Sequence, residues 1–229
     1  HLVIFSKYLD FENQSLSIDV SLHIGSFIAV VAYFYRDIIG FINNKKLFLK
    51  ILISSIPVML VGFILVQSNL IEKIRSIEII GWTTFIFGIL LYISDRFKLY
   101  KNIENNFNYK SAIFIGLFQV LSLIPGVSRS GITITAARFL NFKRHDALKI
   151  SFLLSIPTLA AVSIFGLKNL ISNESINLSM LNIISIFLSF LFSFMTIKFF
   201  LKYVQKFNMN IFVIYRLILG LTLIYFSYL

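Results

Sequence analysis

An all-α polytopic membrane protein is the fold class this sequence predicts, on three observations. Apolar residues make up 58% of the 229 residues and charged residues only 14%, against about 25% charged in soluble domains. The apolar residues fall into runs of about 20, the length an α-helix needs to cross a hydrocarbon core. The basic residues gather between those runs, as they do in the cytoplasmic loops of membrane proteins. The mean hydropathy is +0.86. The formal charge of +11 is therefore assigned to cytoplasmic loops, and no nucleic-acid partner is expected. With no cysteine in the chain, disulfides and thiolate metal sites are excluded.

Six spans are predicted, at about 18–35, 47–66, 77–94, 150–168, 181–201 and 211–229. The segment 111–140 is too long and too broken for a simple span. It reads as a re-entrant helical hairpin, which a bilayer tolerates only where it lines a protein-enclosed cavity. The connections carrying Arg36, Lys45, Lys46 and Lys50, then Arg96, Lys98, Lys101 and Lys110, then Arg138, Lys143, Arg144 and Lys149, then Lys198, Lys202 and Lys206, are basic. All of them reach the cytoplasm only if 111–140 enters and leaves on that side.

Within that hairpin stands Pro125-Gly126-Val127-Ser128-Arg129-Ser130-Gly131-Ile132-Thr133. A guanidinium held at membrane depth costs at least about 2.5–3.5 kcal/mol, so it needs a compensating partner. Pro125 and Gly126 stop one helix, Ser128 or Ser130 can cap the next, and Gly131 admits a ligand to the backbone. Free N–H groups, hydroxyls and a forked guanidinium together form an anion site suited to phosphate. The plainer alternative is a serine-rich turn with an interfacial arginine. Gln119, in the first arm, either packs by hydrogen bond or lines the site, since an unpaired buried amide is costly. Asp19 and His23, one turn apart, read at least as well as an interfacial pair as they do as a catalytic one. Glu72, Lys73, Arg75 and Glu78 read as a solvated loop.

The two halves match in order. Lys7-Tyr8-Leu9-Asp10-Phe11 parallels Arg138-Phe139-Leu140-Asn141-Phe142, and 18–30 parallels 150–162, with Ala29-Val30 beside Ala161-Val162. The corresponding spans run in opposite directions, which is an inverted-topology repeat with its site expected at the midplane. The chain is accordingly read as a single integral membrane domain of two repeats, 1–110 and 111–229. His1 falls opposite Ile132, so a second polar loop is expected upstream of His1.

The nine-residue segment from Pro125 resembles in full the second signature, P-G-x-S-R-S-G-x-T, of the undecaprenyl-diphosphate phosphatases, the bacitracin-resistance protein family. The likeness extends over essentially the whole chain, including Ile24-Gly25-Ser26, Phe152-Leu153-Leu154 with Pro157, and Phe212-Val213-Ile214-Tyr215-Arg216. The family's first signature has two glutamates four apart, then a proline-serine-serine loop ending in Gly-His-Leu; only His1-Leu2 of it is present. The resemblance implies hydrolysis of the C55 lipid diphosphate to its monophosphate. It implies His1, Arg129 and Ser128 as catalytic residues, and Gly126, Ser130, Gly131, Thr133 and Gln119 as substrate-binding residues. By repeat register Gln119 is the counterpart of the first missing glutamate. A divalent cation, Mg²⁺ or Ca²⁺, is implied as cofactor, with its acidic ligands expected upstream of His1. The implied partners are a polyprenyl diphosphate and membrane lipids, and a homodimer stays open. The implied location is the bacterial cytoplasmic membrane, with the site opening to the extracytoplasmic side. The rival readings are a transporter or flippase of an anionic lipid or solute, and an inactive truncated homologue.

Overall fold

The computed structural model describes residues 15–68, 76–172 and 180–228. His1, and with it Glu72, Lys73 and Arg75, lie outside the described residues. The elements are α1 (Ser15–Tyr33), α2 (Tyr35–Asn43), α3 (Lys45–Gln67), α4 (Ile77–Asp95), α5 (Ile103–Asn106), α6 (Tyr109–Val120), a 3₁₀ turn (Leu121–Leu123), α7 (Arg129–Phe139), α8 (Arg144–Ser172), α9 (Met180–Lys206) and α10 (Asn210–Ser227). The protein is all-α and polytopic: α3, α4, α8, α9 and α10 are each long and apolar enough to cross a membrane. α1 qualifies jointly with α2, from which a bend of 74° separates it. Arg36 and Asp37 open α2, and turning the chain there keeps both charges out of hydrocarbon.

α8 begins at Arg144 rather than near the predicted residue 150. Both acid and base at its start are engaged: Asp146 Oδ1 accepts from Ile103 N at 3.4 Å, and Arg144 is held by Asp95. Side-chain caps fix several other starts. Asn44 accepts from Leu47 N, Ser76 from Ile79 N and Asn108 from Ser111 N, each closing an orphan amide of a first turn.

The chain forms two compact units, one from the residues up to Asn43 with Ser155–Phe200, the other from Asn44–Leu154 with Leu201–Leu229. Each takes segments from both the 1–110 and the 111–229 halves. In the first unit, Ser26 Oγ lies 3.0 Å from both Ser189 Oγ and Ser193 Oγ. Ser189 donates to Leu22 O, and Asn182 Nδ2 to Ser17 Oγ. Short polar side chains thus stitch α1 to α9, where apolar contact alone distinguishes helix from lipid poorly.

In the second unit, Ser54 Oγ donates to Ala112 O at 2.8 Å, joining α3 to α6. α4 and α10 approach so closely that a side chain at Gly81 would strike Ile224, and one at Gly220 would strike Phe85. α6 has 12 residues and α7 has 11, so they are ~18 and ~16 Å long, about half of a ~30 Å hydrocarbon core. Their outer ends adjoin. Lys101 N donates to Asn141 O and Lys143 N to Lys101 O, and the Phe107 and Phe142 rings lie 6.2 Å apart. The hairpin therefore returns to the level at which it begins. α7 closes with Asn141 at φ +67°, and the bonds Asn141 N to Arg138 O and Phe142 N to Ala137 O complete a left-handed cap.

Four helix ends meet at Asp95, which is 5% exposed. Arg144 forks onto it, Nε to Oδ1 at 2.7 Å and Nη2 to Oδ2 at 3.0 Å. Arg138 Nε lies 3.5 Å from Oδ1, and Met209 N donates to Oδ2 at 3.2 Å. Arg138 is fully buried, its remaining donors reaching the carbonyls of Phe142, Lys98, Asp95 and Phe97. Two arginines counted from sequence as loop charge thus share one carboxylate and are structural. The basic bias on this side rests on the lysines and the exposed Arg96.

Asp95→Asn leaves Arg138 buried without its counter-charge. Thermal unfolding in detergent should show a loss of about 3–5 kcal/mol, clearly more than Asp146→Asn produces.

Candidate functional site

The loop between the half-helices is built by its own turn chemistry. Pro125 and Gly126 occupy the two central positions of a turn closed by Val127 N to Ile124 O at 3.3 Å. Gly126 has φ +89°, the left-handed position that follows proline in a type II turn. A side chain there would also run into Thr83 Oγ1 and Ile80 O of α4. Ser128 then adopts φ +65° without being glycine, a conformation that is sparsely populated and costs of order 1–3 kcal/mol. Its reward is a cap: Ser128 Oγ accepts from Gly131 N at 3.3 Å, and Ser128 O from Ile132 N at 3.0 Å.

The loop carbonyls are all occupied from the side of α4 and α10. Thr83 Oγ1 donates to Pro125 O at 2.6 Å, and Thr84 Oγ1 to Gly126 O at 3.2 Å. Arg216 Nη2 donates to Gly126 O and Val127 O, both at 3.0 Å. Holding the negative ends of these peptides against the protein leaves the head of α7 electropositive. The first amides of a helix lack intrahelical acceptors and carry the positive end of its dipole.

Five of the residues singled out from sequence come together here. Gly126 makes the turn, and Ser128 caps α7 and is exposed. Arg129 is the first residue of α7 and half-buried. Ser130 Oγ stands 3.5 Å from Ser128 Oγ, and Gly131 completes the first turn. Thr133 is placed differently: it is buried, and its hydroxyl lies 2.7 Å from Ser151 Oγ of α8. Gln119 is 0% exposed in α6, with neither amide atom hydrogen-bonded among the described residues. His1 lies outside the described residues.

The residues around the loop that the sequence reading did not assign to the site are Thr83, Thr84 and Arg216. The hydroxyls of α4 carry no sequence signal. Arg216 does, since an ionisable residue inside an apolar span marks a functional site by default. Among the described residues, no group of three or more His, Cys, Asp or Glu side chains could hold a metal ion. The head of α7 offers donors and positive potential, the complement of a phosphate rather than of a cation.

Comparison with known proteins agrees with that chemistry. The family described as "Bacitracin resistance protein BacA" matches residues 1–222. An undecaprenyl-diphosphatase of Pelagibacter ubique is 50% identical over 229 residues, covering 100% of this chain and 89% of the relative. One from Alcanivorax borkumensis is 37% identical, covering 98% and 89%, and one from Jannaschia sp. is 34% identical, covering 100% and 90%. A match over nearly the whole chain, including the loop that caps α7, places this chain in the bacitracin resistance protein BacA family.

Proposed function

We propose that this chain hydrolyses undecaprenyl diphosphate to undecaprenyl phosphate and inorganic phosphate, recycling the lipid carrier of peptidoglycan synthesis and countering bacitracin. The observation that carries the reading is the head of α7, where the loop carbonyls are tied away and Arg129 opens the helix between Ser128 and Ser130. In the reaction the bond from the bridging oxygen to the terminal phosphorus breaks, and water ultimately supplies the oxygen that phosphate carries off. Phosphoryl transfer asks the protein mainly for positioning and for stabilisation of charge on the phosphoryl oxygens. Arg129 and the α7 amides meet that demand. Ser128 and Ser130 orient the group by hydrogen bonding. The attacking group is the His1 imidazole, a serine hydroxyl or water.

A divalent cation, Mg²⁺ or Ca²⁺, belongs to the proposal because adjacent diphosphate oxygens chelate hard cations. The described residues do not themselves form its ligand set, and the steps assigned to this chain's residues do not pass through it. The prenyl chain needs only apolar surface open to lipid, and the exposed Ile214, Ile218 and Leu221 of α10 are of that kind. The repeat of 1–110 and 111–229 in inverted topology is part of the same reading, with the site near the midplane.

The protein is a multi-pass membrane protein. We place it in the bacterial cytoplasmic membrane, with the lysine-bearing ends inside and the site opening outward. Reporter fusions beyond Ser227 should then report an extracytoplasmic end, and fusions between Arg96 and Asn102 a cytoplasmic one.

Arg129→Lys keeps a charge but loses the fork. Turnover of a short prenyl diphosphate by the full gene product in detergent should fall roughly a hundredfold or more, about 3 kcal/mol, with a smaller change in KM. Near-normal turnover would reduce the arginine to a structural cation. A wild type that moved the lipid without releasing phosphate would be a transporter instead.

Gln119→Leu removes two buried polar atoms that lack partners among the described residues. Thermal stability should rise, by about 1–3 kcal/mol, while turnover falls. A stability gain with unchanged turnover would make Gln119 a packing residue only.

A further inference from the structure

The arginines of the second unit differ in one respect. Arg138 and Arg144 tie helix ends together and share the Asp95 carboxylate. Arg216 stands within apolar α10 and is 8% exposed, and among the described residues it has no carboxylate. Its hydrogen bonds go to backbone carbonyls, Gly126 O and Val127 O at 3.0 Å and Thr84 O at 3.5 Å. Carbonyls take up its donors but leave its charge uncompensated. Holding a carbonyl needs no charge, and Thr83 and Thr84 do so from α4 with hydroxyls.

The place of that charge is what matters. A β-carbon added to Gly131 would lie 2.6 Å from Arg216 Nη1 and 3.3 Å from Ser128 Oγ. The guanidinium therefore reaches the first turn of α7, beside the capping serine, and glycine keeps that approach open. There it adds to the positive helix end and to Arg129, the first residue of the same helix. A guanidinium beside a positive helix end raises the potential there and favours an anion. We propose that Arg216 is a positioning residue of the phosphate site, turning the loop carbonyls away from the ligand and supplying a second cation for a ligand with two phosphoryl groups. The inference rests on the hydrolase reading above. It adds to that site a cation brought from α10, a helix remote in sequence from the loop.

The test uses the full gene product in detergent, with Arg216→Gln and Arg216→Lys. The readouts are kcat and KM on a short prenyl diphosphate, competitive inhibition by inorganic pyrophosphate and by phosphate, and thermal stability. Arg216→Gln should weaken pyrophosphate inhibition by about tenfold or more and phosphate inhibition by less, with KM raised. Arg216→Lys should restore pyrophosphate inhibition to within about threefold of wild type while kcat stays low, because an ammonium keeps the charge but lacks the fork that spans two carbonyls. A folded Arg216→Gln that loses stability but is inhibited as wild type would overturn the proposal. If Arg216→Gln does not fold, Arg216→Lys decides: inhibition lost in step with stability marks a structural tie only. A wild type that releases no phosphate from a prenyl diphosphate overturns the hydrolase reading, and this inference with it.

Discussion

The second unit depends on one carboxylate. Asp95 ends α4, and through Arg138, Arg144 and the amide of Met209 it gathers the end of α7 and the starts of α8 and α10. Desolvating two guanidinium groups and a carboxylate is expensive, and the attraction offsets it only when the remaining donors also find acceptors. Here the Nη donors of Arg138 do, ending on the carbonyls of Asp95, Phe97, Lys98 and Phe142, while its Nε has only the 3.5 Å approach to Asp95 Oδ1. These are in part the carbonyls that a helix end and a tight turn leave without partners. Geometry follows from the charge. Once these ends share a point, the hairpin of α6 and α7 must fold back to the level from which it started.

The opposite end of the hairpin is governed by carbonyls rather than carboxylates. Three consecutive peptide oxygens, of Pro125, Gly126 and Val127, accept from Thr83, Thr84 and Arg216. A peptide whose oxygen is held in one direction is fixed in orientation along its whole length, because its six atoms are nearly coplanar. The positive φ values of Gly126 and Ser128 are what that fixing demands of the backbone. Strain and electropositive potential thus arise from the same contacts, and both are concentrated at the head of α7.

The two arginine environments show how one side-chain type serves two ends. At Asp95 two guanidinium groups share one carboxylate, which offsets part of their charge, and each acts as a multi-toothed bracket. At the loop, Arg216 brackets carbonyls in the same way while its charge stays uncancelled among the described residues. Neighbouring composition separates them in part, since Arg144 stands beside Lys143, His145 and Asp146 while Arg216 lies within an apolar run. The difference lies in which helix happens to present an acid opposite.

The sequence by itself determined a great deal. Apolar run length set the spans, because crossing hydrocarbon demands about 20 apolar residues whatever the fold. The motif from Pro125 to Thr133 identified the turn, the cap and the arginine, because proline, glycine and serine impose local conformation without help from distant residues. Gln119 was legible as a polar residue needing a partner. Tertiary structure alone decided the rest. It turned Arg138 and Arg144 from loop charges into a buried bracket, sent the Thr133 hydroxyl to Ser151, and brought Arg216, 90 residues from Gly126, onto the carbonyls beneath the site. Those outcomes depend on which helices approach closely enough to bond. In a bilayer such approach is set by small residues and paired polar groups across interfaces, long-range information that no single stretch of sequence contains.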